Sequence, residues 1–202
     1  MLEDGSVYEG TARGDFKETA CEIVFNTSMT GYVEILTDPS YAGQGVVMTY
    51  PMIGNYGISR EDFESERLQP SAFIVHELSS DPSNFRCTDT IENLLKEYNI
   101  PCISGVDTRA VVKKLRESGT MCGVLTSDIG DRERLMDVIK SFRQIDLVGS
   151  VTAKQTKVYG EENTGAEIAL MDFGTKRNII NNLVKRNCIV TVYPSFTSAD
   201  EI

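Results

Sequence analysis

The sequence predicts an α/β protein in which a layered β/β/α domain is followed by the opening of a parallel sheet. The first ninety residues contain short β-branched or aromatic runs, separated by Gly, Pro, Asn or Asp, which is typical of strands. Helical periodicity then alternates with strand runs as far as residue 142. After a polar stretch, a strand, a helix and a strand follow in the order of a βαβ unit.

Five short strands are predicted in the first part of the chain. They are Ser6-Val-Tyr8, Cys21-Glu-Ile-Val-Phe25, Tyr32-Val-Glu-Ile-Leu36, Val46-Val-Met-Thr-Tyr50 and Ala72-Phe-Ile-Val75. The loop between the last two contains Gly54 and Gly57, whose amides could face an anion. No helical pattern follows at once, so a turn is the favoured interpretation.

Three helices are predicted next. Asp89 is the candidate N-cap of the first, with Glu92 three residues later. Asp107 caps the second, which ends at Gly119, and the third covers about 131–142. The strands Cys102-Ile-Ser104 and Met121-Cys-Gly-Val-Leu-Thr126 alternate with these helices, which indicates the layered arrangement.

Composition divides the chain into a domain at 1–150, a polar linker at 151–166 and a single βαβ unit at 167–202. The unit combines the strand run Ile168-Ala-Leu-Met-Asp172, a helix around Ile180 and the strand run Ile189-Val-Thr-Val-Tyr193. One βαβ unit cannot bury both faces of its sheet. The sequence therefore looks truncated inside a second domain.

The charge balance excludes some classes of partner. Of 202 residues 41% are apolar and 25% charged, as in an ordinary soluble globular protein, and the net charge is −10. No basic patch is available to displace counterions from nucleic acid, and an anionic membrane surface would repel the chain. No apolar run spans a bilayer and no signal peptide is present, so a cytoplasmic protein is expected.

The cysteines and the single histidine give no catalytic or metal-binding pattern. Five cysteines lie without CxxC or Cys/His spacing, so neither zinc nor a disulfide framework is expected, and each is interpreted as a small buried thiol. His76 lies in an apolar, strand-like run and is interpreted as structural. Asp172-Phe-Gly174 lacks the accompanying kinase motifs, so it is interpreted as a tight turn from strand to helix, with Lys176 exposed.

The candidate site is the turn Asp38-Pro39-Ser40. It follows the predicted strand that ends at Leu36, and its proline presets φ while the flanking side chains can bond the local backbone. Such a turn displays the Ser40 hydroxyl on a stiff support. From spacing alone, a strand between two polar turns with no binding role is an equally good interpretation.

The chain resembles the small (glutaminase) subunit of glutamine-dependent carbamoyl-phosphate synthetase along essentially its whole length. The matching motifs are Leu2-Glu-Asp-Gly5, Phe25-Asn-Thr-Ser-Met-Thr-Gly-Tyr32, Glu34-Ile-Leu-Thr-Asp-Pro-Ser-Tyr41, Thr49-Tyr-Pro51, Ile53-Gly-Asn55, Ser83-Asn-Phe-Arg86, Asp107-Thr-Arg109, Leu115-Arg-Glu117, Asp172-Phe-Gly174 and Lys176-Arg-Asn-Ile179. The stretch from Phe25 to Tyr41 is the most specific of them.

The resemblance implies a fold and an activity. The small subunit of that family hydrolyses glutamine and passes ammonia through a tunnel to a large subunit, for pyrimidine and arginine synthesis. The implied architecture is the β/β/α domain followed by a flavodoxin-like class I glutamine amidotransferase domain. No cofactor is implied in this chain, whereas ATP and Mg are implied on the large subunit, its heterodimer partner. Ser40 is implied to hold the glutamine substrate.

Two departures from the family follow. Only Met1 precedes the Leu-Glu-Asp-Gly motif, so an edge strand of the family is expected to be missing there. No cysteine matches the nucleophile, because Cys188 lies too early and lacks flanking glycines. The 202-residue chain is therefore expected not to hydrolyse glutamine on its own.

Three hypotheses remain open. The chain is the first part of an amidotransferase subunit, a stand-alone module that docks on the large subunit, or, least favoured, a small-molecule binder that uses the Gly54 and Gly57 loop. The open βαβ unit favours the first. The acidic loop from Glu61 to Glu66, interpreted as exposed, is compatible with docking.

Overall fold

The structure, a computed structural model, describes residues 1–14, 16–142 and 146–202. The strands are β1 (Thr11–Arg13), β2 (Thr19–Asn26), β3 (Gln44–Met48), β4 (Met52–Ile53), β5 (Ala72–Ile74), β6 (Glu77–Leu78), β7 (Cys102–Ser104), β8 (Met121–Leu125), β9 (Lys157–Tyr159), β10 (Glu167–Asp172) and β11 (Ile189–Pro194). The helices are α1 (Tyr32–Thr37), α2 (Ile91–Glu97), α3 (Thr108–Ser118), α4 (Arg132–Ser141), α5 (Leu147–Val151) and α6 (Arg177–Lys185). The predicted α/β class is confirmed.

A mixed six-stranded sheet forms the centre of the first part, in the order β1-β7-β5-β3-β2-β8. Its four inner strands are parallel, whereas β1 and β8 pair antiparallel at the two edges. The carboxyl ends of β2 and β3 therefore lie side by side, with Asn26 opposite Met48. This edge of the sheet becomes important below.

The core lies on both faces of this sheet. On one face Val46 and Phe73 pack with residues of α1 and α2, and on the other Val47 and Ile74 pack with residues of α3. Neighbouring residues of a strand point to opposite faces, so Val46 and Val47 bury into different layers. A strand buried on both faces needs a continuous apolar run, which β3 supplies with Val46-Val-Met48.

The predicted strand from Tyr32 to Leu36 is wrong, because these residues form helix α1. In a strand, Tyr32, Glu34 and Leu36 would share one face, which would bury a carboxylate with two apolar side chains. In the helix Tyr32, Val33 and Leu36 are fully buried while Glu34 stays partly exposed. An apolar pattern that covers only five residues cannot distinguish a strand from a helix.

A distant tyrosine fixes the start of α1. The helix begins after Gly31, which has a φ of 81° and no side chain to cap the first turn. The Tyr56 hydroxyl accepts hydrogen bonds from the Gly31 amide at 2.6 Å and the Tyr32 amide at 3.4 Å. The two tyrosine rings stack with centroids 4.1 Å apart. A tertiary contact thus replaces the local N-cap.

Two smaller predictions are also corrected. Ser6-Val-Tyr8 is not a strand, since residues 11–13 instead pair with β7 as β1. The N-cap of α2 is Thr90 and not Asp89, because the Thr90 hydroxyl accepts from the Asn93 amide at 3.2 Å. Asp89 supports the cap by accepting from the Thr90 amide at 2.7 Å. The predicted caps of the next helix, Asp107 and Gly119, are both confirmed.

The last part of the chain contains the predicted strand–helix–strand order. Strands β10 and β11 are parallel, from Glu167 opposite Ile189 to Asp172 opposite Pro194, and α6 connects them. Residues 151–166, predicted as a linker, contain β9, which pairs antiparallel with β11. This three-residue edge strand is not evident from the polar composition of the segment, because its first two residues are exposed.

None of the helices in the described ranges is both long and apolar enough to cross a bilayer.

Candidate functional site

The Ser40 turn is rigid at its backbone and open at its hydroxyl. Asp38 ends α1 and caps a 3₁₀ turn over Pro39–Tyr41, with its Oδ1 accepting from the Ser40 amide at 2.9 Å. This is the local bonding that the sequence predicted for Asp38. Ser40 is exposed, and its hydroxyl makes no hydrogen bond to any residue in the described ranges. The turn therefore presents a free donor and acceptor.

The second part of the chain contacts this turn directly. Lys176 Nζ lies 2.7 Å from Asp38 Oδ2, and the Asp38 side chain is only 9% exposed. The hydrogen bond from Lys176 to Asp38 raises the pKa of the lysine, so the ammonium stays charged. Gly174, with a φ of 99°, lies so close that a Cβ there would be 3.0 Å from the Cβ of Pro39. A glycine is needed for this approach.

Glu64 makes a second connection at the start of α6. Its Oε2 accepts from the Asn178 amide at 3.0 Å and its Oε1 from Asn178 Nδ2 at 2.8 Å. Lys176, at the N-cap of α6, supplies no capping side chain, so the Glu64 carboxylate satisfies a free N–H of the first turn. The Glu64 amide in turn donates to Thr37 Oγ1 at 2.9 Å. Glu64 therefore links α6 to the residue that precedes Asp38.

Two predictions from the sequence are corrected here. The loop from Glu61 to Glu66 is not uniformly exposed, because Glu64 is 8% exposed and holds α6. Lys176 is only partly exposed, because it is paired with Asp38. A signal for the Glu64 contact is present in the sequence. Lys176 is a poor N-cap, so a helix beginning after it needs a capping group from elsewhere in the chain.

Asp172 organises the turn from β10 to α6, as the sequence predicted for Asp172-Phe-Gly174. Its Oδ1 accepts from the amides of Gly174 at 3.0 Å and Thr175 at 2.7 Å, and its Oδ2 from that of Ala153 at 2.7 Å. The carboxylate is buried, and three amide donors compensate its charge. Its role is to hold Gly174 against Pro39.

The cysteines and the histidine stay apart. Cys21 and Cys102 are buried, as expected, and burial raises the pKa of each thiol to about 12. Cys188 is only partly buried, and its nearest polar contact is the Arg186 carbonyl at 3.9 Å. His76 is exposed and its Nδ1 lies 3.1 Å from the Val106 carbonyl oxygen. Within the described ranges no group of three His, Cys, Asp or Glu side chains could hold a metal ion.

A polar cleft of about 310 Å³ brings three of the sequence motifs together beside the start of α1. Thr30, Gly31 and Glu34 line one side, and Asn84 and Arg86 line the other. Burial raises the pKa of Glu34, and the neighbouring carboxylates of Asp62 and Glu64 add to this effect. Arg86 forms an ion pair with Asp62, with Nη2 of the arginine 2.5 Å from Oδ1 of the aspartate.

The loop that contains Gly54 and Gly57 forms a turn, and its Tyr56 lines this cleft. The Gly57 amide donates to the Gly54 carbonyl oxygen at 3.0 Å. The favoured interpretation from the sequence is therefore confirmed, and the Gly57 amide is not directed at a ligand.

Comparison with known proteins gives one consistent family. The sequence model of the family described as carbamoyl-phosphate synthase small chain, CPSase domain, matches residues 1–125. The carbamoyl phosphate synthase small chain of Clostridium perfringens is 47% identical and that of Archaeoglobus fulgidus 46% identical, each over the whole chain and 57% of the relative. The Listeria monocytogenes protein of the same name (serotype 4b) is 44% identical, and 55% of it is covered. The chain thus spans about half the length of these curated relatives.

Proposed function

Because the chain belongs to the carbamoyl-phosphate synthase small-chain family, we propose that it is the amino-terminal part of a glutamine-hydrolysing small subunit. In this proposal the complete subunit releases ammonia from glutamine and passes it to a large subunit in the cytoplasm. The large subunit holds ATP and Mg²⁺ and makes carbamoyl phosphate from bicarbonate for pyrimidine and arginine synthesis. The support is the identity along the whole chain.

The second half of the proposal concerns fold. The parallel pair β10 and β11, connected by α6, begins a flavodoxin-like sheet of a class I glutamine amidotransferase domain. The nucleophile of that domain lies outside this span, so residues 1–202 alone do not hydrolyse glutamine. In agreement with this, the one cysteine next to the parallel pair, Cys188, has no histidine beside it among the described residues.

Ser40 holds the substrate in this proposal. The observation that carries it is the free hydroxyl of Ser40 on a turn that Asp38 and Lys176 fix against the second part of the chain. A hydroxyl can donate to the carboxylate of an amino acid or accept from its ammonium group. Ser40 positions glutamine and transfers no proton, so its effect lies in binding and orientation.

The test is Ser40→Ala in the complete small subunit assembled with its large subunit. Loss of a hydrogen bond to a charged group costs about 1.5–3 kcal/mol, so the KM for glutamine is expected to rise about tenfold or more. Ammonia-dependent synthesis, which bypasses glutamine, is expected to stay unchanged. Steady-state kinetics with each nitrogen donor measures both.

The chain contains a matched control in Asp81-Pro82-Ser83, which repeats the tripeptide of the site. Ser83 is also exposed, but no hydrogen bond or ion pair joins Asp81 or Ser83 to α6 in the described ranges. Ser83→Ala is expected to leave the KM for glutamine unchanged. Equal loss of the glutamine and ammonia activities in Ser40→Ala would mean that Ser40 supports the fold or the interface. Undetectable glutaminase activity in the wild-type complex would favour the docking module.

A further inference from the structure

A basic cleft lies at the carboxyl ends of β2 and β3. Arg109, Lys113 and Arg116 project from α3, and Thr27 and Thr49 follow the two strands; these five residues line a cleft of about 600 Å³ with Val112 and Glu117. The spacing of four and three residues places the three cations on one face of the helix.

These cations are unpaired. Arg109, Lys113 and Arg116 are exposed, and none has an ion pair or a side-chain hydrogen bond to any residue in the described ranges. In the same ranges the cations at Arg60, Arg86, Lys96, Lys114, Arg134 and Lys176 all pair with carboxylates. Like charges at these helical spacings repel, so the arrangement costs stability while no anion is present. Among the described residues Glu117 is the one carboxylate that lines the cleft, and it does not balance three cations.

The strand ends complete the cleft with hydroxyls. β2 and β3 are parallel neighbours, and the Thr49 amide donates to the Asn26 carbonyl oxygen at 3.0 Å, which holds the two threonine segments together. Helix α3 packs against the same strands through Val111 and Leu115. In open sheets with parallel strands, ligands bind beyond the carboxyl ends of the strands. The hydroxyls and the cations therefore face one concave space at the expected edge.

We propose that this cleft binds a small molecule through its phosphate or diphosphate group. The guanidinium groups of Arg109 and Arg116 suit bidentate bonding to phosphate oxygens, Lys113 adds a point charge, and the threonine hydroxyls donate to the remaining oxygens. Concavity favours a compact anion over an extended acidic segment of a protein, which would need a longer charged surface. The site is separate from the Ser40 turn and does not depend on the function proposed for it.

The test titrates the 202-residue chain with inorganic pyrophosphate at constant ionic strength, by calorimetry and by amide chemical shifts. Wild type is expected to show saturable binding, with shifts concentrated at Thr27, Thr49 and α3. In the double variant Lys113→Gln with Arg116→Gln, the Kd is expected to rise about tenfold or more for the loss of charged hydrogen bonds. Both side chains are exposed, so the fold is expected to persist, and circular dichroism checks this.

The charge-matched control is Arg132→Gln with Lys154→Gln, two exposed cations outside the cleft. Its Kd is expected to equal that of wild type. If the first double variant does not fold, Arg116→Gln and Arg116→Lys are compared instead, with the smaller rise in Kd expected for the lysine, which keeps the charge but not the bidentate geometry. Absence of saturable binding to wild type, or equal weakening in both double variants, would overturn the proposal. So would an oligoglutamate peptide that binds more tightly and is not displaced by pyrophosphate, because the cleft would then be a protein-docking surface.

Discussion

Removal of the Glu64 carboxylate provides the sharpest test of how the two parts of the chain are joined. Glu64 accepts two hydrogen bonds from Asn178, one from its amide and one from its side chain, and it is 8% exposed. Helix caps contribute about 0.5–2 kcal/mol, and single hydrogen bonds to charged groups about 1.5–3 kcal/mol. Asn178 is exposed, so water replaces part of the lost bonding. We therefore expect Glu64→Ala to destabilise α6 by about 2 kcal/mol.

Amide hydrogen exchange of α6 in the 202-residue chain measures this loss. A change of about 2 kcal/mol in local opening corresponds to about thirtyfold faster exchange. Glu64→Gln keeps one acceptor oxygen and is expected to lose about half as much free energy. Glu66→Ala is the control in the same loop, because the Glu66 side chain is exposed and has no hydrogen bond or ion pair within the described ranges; the backbone carbonyl of Glu66 accepts from the Tyr98 hydroxyl at 3.4 Å.

A double-mutant cycle with Asn178→Ala isolates the bond between the two side chains. If Glu64 acts through Asn178, the coupling free energy is expected to be about 1–2 kcal/mol, since contacting residues couple by about 0.5–3 kcal/mol. Unchanged exchange of α6 in Glu64→Ala, or an equal effect of Glu66→Ala, would refute the reasoning. A large effect of Glu64→Ala with no coupling would assign the loss to the bond from the Asn178 amide, because Asn178→Ala keeps that backbone donor.

Two further predictions concern helix α1. Tyr56→Phe keeps the stacked ring but removes the acceptor of the Gly31 amide, so a loss of about 1–2 kcal/mol in the free energy of unfolding is expected by denaturant titration. Tyr50→Phe, whose hydroxyl has no hydrogen bond in the described ranges, is the control, and equal losses would contradict the capping role. Glu34→Gln is expected to stabilise the protein at neutral pH, because burial raises the pKa of Glu34 and the charged form costs stability above that raised pKa. Below the ordinary glutamate pKa of about 4.3, Glu34 is protonated in both the folded and the unfolded wild type, so the stabilisation by Glu34→Gln is expected to vanish. A stabilisation that does not depend on pH would contradict this explanation.

Local rules were sufficient for much of the fold. The caps Asp107 and Gly119 and the βαβ order are confirmed because each depends on residues a few positions apart. The Asp38 turn is confirmed for the same reason, since its hydrogen bond spans two residues. Where a residue and its hydrogen-bond partner lie only a few positions apart, their spacing in the sequence is enough to predict the contact.

The errors share a different cause. Residues 32–36 were predicted as a strand because their helix depends on Tyr56, which lies more than twenty positions later. Glu64 was interpreted as exposed because its partner Asn178 is separated from it by 114 positions. A poor N-cap such as Lys176 indicates that a capping group is needed, but spacing does not identify the distant residue that supplies it.

The sequence by itself determined the α/β class, the family, and the identity of Ser40 as the candidate residue. Only the tertiary structure decided what supports that residue: Lys176 paired with Asp38, Gly174 against Pro39, and Glu64 at the start of α6. It also gathered Thr27, Thr49 and three cations of α3 at one sheet edge. Periodicity and motifs are properties of neighbouring residues, whereas a site is made by segments that the folded sheet brings together.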